Sequence, residues 1–352
     1  MVNKLTAVQF QNRLLTWFDQ HGRKELPWQK NISPYRVWIS EIMLQQTQVK
    51  TVIPYYRRFM QYFPTINDLA AADIDKVLHY WTGLGYYARA RNLHKATKII
   101  AQDFNGIFPQ NFNDIIALPG IGRSTAGAIC AITLQQHYAI LDGNVKRVLA
   151  RFAKLEGWPG NAQVSKKFWQ LAEYYTPVAR IADYTQAIMD LGATICTRGK
   201  PKCQLCPLAQ CCLAHRYKCE AEYPTKKLKK QLPIKHTVML LIQNVHSEWL
   251  LEKRPTSGIW GGLWLFPQCE ETQDIPQWCL QHDINIEQQR PLPKFRHTFS
   301  HYHLDIEPVM IQTKHMTNKI MDVQQFIWYN HKQQIGLAAP VHKLLMQFKE
   351  PS

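Results

Sequence analysis

The stretch LPGIGRSTAGAICAI, residues 118–132, decides how this chain folds. Pro119, Gly120 and Gly122 make a tight turn, and the small side chains after Ser124 open a helix that a neighbour can approach closely. Backbone N–H groups at such a helix start point outward and can grip a phosphate with no side-chain charge. Read by itself, the stretch also suits an ordinary glycine-containing turn between two helices. The sequence on either side separates the two readings.

Upstream and downstream, residues 1–219 keep a helical period. Apolar residues recur at three- and four-residue steps in VWISEIMLQQTQVKTVIPYYRRFM (37–60) and in VLHYWTGLGYYARARNLHKATKIIAQDF (77–104). Gly83 and Gly85 interrupt the second stretch, which predicts two helices with a tight joint. In ILDGNVKRVLAR (140–151), Asp142 sits at a helix N-terminus, where an aspartate most often serves as a cap. In CTRGKPKCQLCPLAQCC (196–212), Cys196, Cys203, Cys206 and Cys212 are spaced C-x6-C-x2-C-x5-C. Thiolates this close along a chain point to a metal, either a zinc ion or an iron–sulfur cluster. Cys211 stands beside Cys212 as a second thiol at the fourth position, whereas Cys130 and Cys219 read as packing residues.

The lysine-rich, proline-containing stretch EAEYPTKKLKKQLPIK (220–235) reads as a linker. Beyond it the period changes. HTVMLLIQ (236–243), EWLLEKR (248–254) and HTFSHYHLDIEPVMIQ (297–312) predict strands, so 236–350 is expected to be an α+β domain.

Composition sets the setting. A chain of 352 residues, 46% of them hydrophobic, suits about two domains, each with a core. The net charge of +16 favours a polyanionic partner, nucleic acid first. No apolar run is long enough to span a membrane, and MVNKLTAVQFQNRLLTWF reads as an amphipathic helix, not a signal peptide. Nine cysteines, several clustered, favour a reducing interior, so the expectation is a cytoplasmic monomer with no membrane partner.

The turn at 118–122 with its small-residue helix resembles the helix-hairpin-helix motif of DNA-repair proteins. Paired with ILDGN, it resembles the base-excision glycosylase superfamily, in particular endonuclease III and the adenine DNA glycosylases of the MutY type. Both branches carry the C-x6-C-x2-C-x5-C cysteines, so the resemblance implies one 4Fe–4S cluster on Cys196, Cys203, Cys206 and Cys212. The implied fold is an all-α helix-hairpin-helix glycosylase domain over 1–219, the basic linker 220–235, and a Nudix-like domain over 236–350. Gly120, Gly122 and Ser124 would face DNA in the hairpin. Lyase-active relatives begin this helix with a nucleophilic lysine. Ser124 cannot form a Schiff base, which implies base removal with no obligatory strand cut. Lys146 then contacts phosphate, or acts as an adventitious amine.

PWQKNISPYRVWISEIMLQQTQVKTV (27–52) resembles the MutY family closely. That match implies Glu41 as the acid that protonates adenine and Asp142 as the carboxylate that stays ionised beside the sugar. It puts Leu44 and Gln46 in an intercalating loop, Tyr86 beside the opposite base, and Trp28 and Arg36 around the pocket. RPTSGIWGGLWLFPQ (254–268) looks like the start of a Nudix fold, but EETQDIPQWCLQHD (270–283) lacks the R-E-x-x-E-E run that holds metal for pyrophosphate hydrolysis. The domain instead resembles the 8-oxoguanine-recognition domain of the MutY family, with Ser300 in RHTFSHYHL as its reader. The expected substrate is duplex DNA with adenine opposite 8-oxoguanine or guanine. The competing readings are a pyrimidine-directed glycosylase/lyase and a non-catalytic DNA-binding module.

Overall fold

The computed structural model describes residues 5–227, 231–314 and 325–348, so residues 228–230 of the expected linker lie outside it. The described chain forms two compact units. One combines residues up to 70 with 95–227, and the other combines 71–94 with the residues from 231 onward.

The first unit is helical. Helices α1 (Ala7–His21), α2 (Pro34–Leu44) and α3 (Val49–Tyr62) come first, and α4 (Ile66–Ala71) closes this stretch. Two of their starts show their cause directly. Thr6 and Gln9 form a reciprocal capping box at α1, and Ser33 caps α2 with Pro34 just inside. After α5 (Ile74–Trp81), helix α6 (Ala88–Asp103) carries the chain back into this unit. There follow α7 (Phe112–Ala117), α8 (Arg123–Leu134), α9 (Gly143–Ala153), α10 (Ala162–Tyr175), α11 (Ile181–Asp190) and the short α12 (Leu213–Arg216).

Helix α8 is the centre of this unit. Thr125 through Ala131 are all buried, and α8 packs against both α2 and α11. Its small residues are a packing requirement: a Cβ on Gly127 would sit 2.6 Å from the Ala139 carbonyl oxygen. The apolar faces of α1, α9, α10 and α11 close a core that includes Phe10, Phe152 and Tyr175, with ring centroids 4.3–5.7 Å apart.

The second unit is built on a mixed sheet. Strands β1 (Ile234–Gln243) and β7 (His303–Gln312) pair in parallel along their whole length, from Ile234 with His303 to Gln243 with Gln312. Antiparallel partners flank them: β2 (Trp249–Lys253) and β4 (Gln268–Cys269) on β1, β5 (Gln288–Pro291) and β6 (Phe295–Thr298) on β7. Strands β3 (Trp264–Leu265) and β8 (Phe326–Tyr329) complete the sheet on β2. Helix α13 (Ile275–Gln281) lays Ile275 and Cys279 on an apolar face that includes Val238, Leu240 and Ile242. It carries no carboxylate, as its sequence required. Helix α14 (Ala339–Leu345) ends the described chain.

Residues 71–94 group with this sheet, whereas the sequence reading kept 1–219 together. The reason lies in their contacts. Lys253 Nζ meets Asp75 Oδ2 at 2.9 Å, Arg91 Nη1 donates to Gly261 O at 2.6 Å, and Tyr87 OH donates to Leu337 O at 3.4 Å. Gly336 has no room for a Cβ because Leu78 Cβ would lie 2.5 Å away. The amphipathic period of a helix is the same whichever core it covers, so periodicity does not reveal this allegiance. The predicted joint is present: α5 ends at Trp81, α6 starts at Ala88, and Gly83 and Gly85 take φ of 95° and 75° between them.

Candidate active site

A cavity of about 890 Å³ opens in the helical unit, lined from four directions. Helix α2 and the turn after it supply Glu41, Leu44 and Gln46, and the start of α8 supplies Ser124. The start of α9 supplies Asp142, and α11 supplies Gln186. Trp28 also lines it. Arg36 does not line it; its guanidinium stacks over the Tyr56 ring at 5.8 Å. Lys146, one turn along α9, is also not a lining residue.

Glu41 is the ionisable member of an otherwise buried run: Val37 to Ser40, Ile42 and Met43 all pack inward. Glu41 itself is half-buried and lines the cavity. Desolvation pushes it up to about 8, and the negative charge of Asp142 adds to the rise. The two carboxyls, a hundred residues apart in sequence, therefore share one electrostatic environment.

Asp142 is both a cap and a cavity residue. Its Oδ1 accepts from the backbone N–H of Asn144 (3.0 Å) and Val145 (2.7 Å), and its Oδ2 accepts from Asn144 Nδ2 (2.9 Å). Burial raises its pKa, while these hydrogen bonds and the nearby Arg147 charge oppose the rise. Both influences resolved on Glu41 raise it, whereas on Asp142 hydrogen bonds and the Arg147 charge oppose the larger effect of burial.

The hairpin supplies space and backbone. Gly120 takes φ of 80°, which a side chain rarely adopts. Gly122 is the N-cap of α8, and a Cβ built there meets nothing within 4 Å. Ser124 Oγ accepts from the Leu141 N–H at 2.9 Å, which ties the hairpin to the residue before Asp142. Gln46 is exposed, with a left-handed φ of 59°.

Three residues that sequence reading missed hold this arrangement. Arg147 donates from Nε to Cys196 O (2.6 Å) and from Nη2 to Gly192 O (2.5 Å) and Asn144 Oδ1 (2.8 Å). Arg151, only 2% exposed, donates from Nη1 to Thr197 O (2.7 Å) and Cys196 Sγ (3.3 Å) and from Nε to Glu220 O (2.9 Å). Gln186 donates to Asp190 Oδ1 at 2.8 Å. The two arginines lie four residues apart in NVKRVLAR and so share a helix face, a legible signal, although their partners were not. Gln186 gave no signal.

The four spaced cysteines converge. Burial raises Cys203, Cys206 and Cys212 to about 11, 12 and 11, and each feels the charge of others in the quartet. A tetrahedral zinc site sets its sulfurs about 3.8 Å apart. Among the described residues, the one group of three metal-capable side chains within 4.8 Å is Cys203 with His215 and Glu220, not the quartet. No three of the four sulfurs group this closely, which suits a tetrahedral zinc ion less well than a larger thiolate-held group. Arg151 supplies a buried positive charge beside Cys196, as a thiolate-bound group requires.

In the second unit, Tyr86 stands 52% exposed in the joint between α5 and α6. Ser300 is exposed between β6 and β7, in a turn closed by Phe299 N–H donating to Tyr302 O at 2.9 Å. Trp260 packs against Phe299 and His297, with centroids 5.0 and 5.5 Å away.

Comparison with known proteins places this geometry. Residues 39–174 match the HhH-GPD superfamily of base excision DNA repair proteins, and residues 237–347 match the NUDIX domain. The chain is 43% identical to an adenine DNA glycosylase of Buchnera aphidicola subsp. Acyrthosiphon pisum (strain APS), over 98% of this chain and 99% of that one. It is 33% identical to the human adenine DNA glycosylase, over 86% of this chain and 66% of that one. A solved thermostable thymine-DNA glycosylase superposes with a TM-score of 0.53 at 26% identity, over 60% of this chain and 97% of that one. An endonuclease III–DNA complex at 21% identity shares the fold, with a TM-score of 0.51, over 61% of this chain and 98% of that one.

Proposed function

The chain belongs to the adenine DNA glycosylase family, and from that premise we propose that it excises adenine paired with 8-oxoguanine, or with guanine, and leaves the strand uncut. The observation that carries the chemistry is Glu41, desolvated beside Asp142 in one cavity. Adenine is a poor leaving group from deoxyribose until N7 is protonated. A carboxylic acid that still holds its proton near neutral pH can supply it, and Glu41 is pushed up to about 8. Asp142, hydrogen-bonded in its charged form, faces the positive charge that develops on the sugar. Leu44, Gln46 and the hairpin backbone at Gly120 and Gly122 receive the distorted strand, and Lys146 contacts phosphate. Ser300, exposed on its turn, reads the base opposite.

Cys196, Cys203, Cys206 and Cys212 would hold a 4Fe–4S cluster, which supplies charge and rigidity to the loop carrying Arg198, a residue that lines the cavity. Purified chain is expected to contain about four irons and to absorb in the visible. Cys206→Ser should lower both; iron content unchanged from background in both proteins would remove the cluster assignment.

The deciding experiment is a duplex with one adenine opposite 8-oxoguanine, treated with base after reaction to convert abasic sites to breaks. Breaks should appear with this duplex, more weakly opposite guanine, and not with a thymine-glycol duplex. Their absence at adenine would sink the proposal. Borohydride added during the reaction should trap no more protein on DNA than a control without enzyme turnover, because Ser124 offers no amine and Lys146 does not line the cavity. Trapping in proportion to excision would make the enzyme a lyase.

A further inference from the structure

Tyr86 has a backbone that packing alone does not explain. It takes a left-handed φ of 51°, which costs a bulky residue about 1–2 kcal/mol, yet its ring is 52% exposed. Beneath it lies Arg89, 9% exposed, and a buried guanidinium persists only when its donors are used. Arg89 spends them on the joint itself: Nη2 donates to Leu84 O (3.3 Å) and Gly85 O (2.9 Å), and Nε donates to Tyr86 O (3.4 Å). Its cationic centre lies 5.4 Å from the Trp81 ring and 5.5 Å from the Tyr86 ring. Trp81 Nε1 also donates to Gly85 O at 3.1 Å, and the Gly83 N–H donates to Tyr87 OH at 3.2 Å. Three consecutive carbonyls of a six-residue joint, 82–87, are thus fixed by one side chain on the next helix.

We propose that Arg89 is a positioning residue that holds the joint in its strained form, so that the Tyr86 ring projects as a ready-made wedge for duplex DNA. The proposal rests on the reading of Tyr86 as the residue that enters the stack beside the opposite base. Its logic is preorganisation: the ordering of the joint is completed on folding, so binding DNA does not bear that cost. A lysine cannot replace this device, because a single ammonium cannot span three carbonyls and stack between two rings.

The test uses the full chain and a duplex carrying adenine opposite 8-oxoguanine, with 2-aminopurine stacked next to 8-oxoguanine. Wedge insertion unstacks 2-aminopurine and raises its fluorescence, a signal that general loss of fold would not redistribute selectively. Affinity and this rise are measured for Tyr86→Ala, Arg89→Met, Arg89→Lys and the Tyr86→Ala/Arg89→Met double variant. Tyr86→Ala should weaken binding about 10–100-fold and abolish the rise, as loss of one aromatic–base stack does. Arg89→Met should weaken binding about 10-fold and diminish the rise, and the double variant should bind no worse than Tyr86→Ala, a coupling of ordinary size for contacting residues. Arg89→Lys should behave like Arg89→Met, and it carries the test if the methionine variant does not fold. If the two effects simply add, Arg89 does not act through Tyr86 and the inference fails while the wedge reading stands. If Tyr86→Ala binds and fluoresces as the parent does, the wedge reading itself is wrong.

Discussion

Glu41→Gln should lose adenine excision by about 10²–10⁴-fold while mispair binding stays within a few-fold of the parent, because a general acid contributes to the transition state and little to the bound ground state. The same variant should be more stable than the parent. Glu41 is pushed up to about 8 in the folded chain, against about 4.5 unfolded, so folding near neutral pH forces a proton onto a group that would otherwise be ionised. Below pH 4.5 both states are protonated and the cost vanishes. It grows as pH rises from 4.5 to about 8 and levels off above that, which amounts at pH 7 to at most ~3 kcal/mol. The melting temperature of Glu41→Gln should therefore exceed the parent's by a margin that widens across this window. Excision by the parent should fall as pH passes about 8 and Glu41 gives up its proton. Excision at the normal rate by the glutamine variant would end the acid assignment, and a stability gap that narrows with rising pH would contradict the desolvation argument.

Asp142→Asn should cost about 10²–10³-fold in excision, the range seen when a single electrostatic stabiliser of developing charge is removed. The fold should hold, since asparagine caps a helix about as well as aspartate and can still accept from the Asn144 and Val145 N–H groups. A second consequence separates this role from capping. The Asp142 charge helps to raise Glu41, so removing it should move the alkaline limb of the residual activity to lower pH. Single-turnover excision across a pH series checks both. Activity within threefold of the parent would show that the sugar cation is stabilised elsewhere, and an unmoved limb would show that the two carboxyls do not sense one another.

What the sequence disclosed follows from which interactions are local. The small residues of α8 were readable because close approach of Ala139 to Gly127 demands them, and the joint at 82–87 because Gly83 and Gly85 announce it. Glu41 stood out as the one acid in an apolar run, but nothing local joins it to Asp142; only resemblance to a family paired them. The quartet of thiols could be counted, whereas how closely the fold groups its sulfurs is a fact of three dimensions. Arg147 and Arg151 reach carbonyls more than 40 residues away in sequence, and no periodicity encodes such a reach. That residues 71–94 group with the sheet was not readable for the same reason, because α5 reads alike whether it covers a helix or a sheet.

That allegiance of 71–94 also sets an order of events on the ribosome. The segment emerges well before Lys253 of β2, which pairs with its Asp75, and at ordinary synthesis rates the gap from residue 94 to residue 253 is roughly 10–30 s. Throughout that interval Gly336 and Leu337, which Leu78 and Tyr87 meet in the folded chain, are not yet made, although the residues of the helical unit that flank the segment in sequence are. The second unit therefore matures around a waiting piece of chain, and a nascent protein released early carries an uncovered apolar seam in its middle.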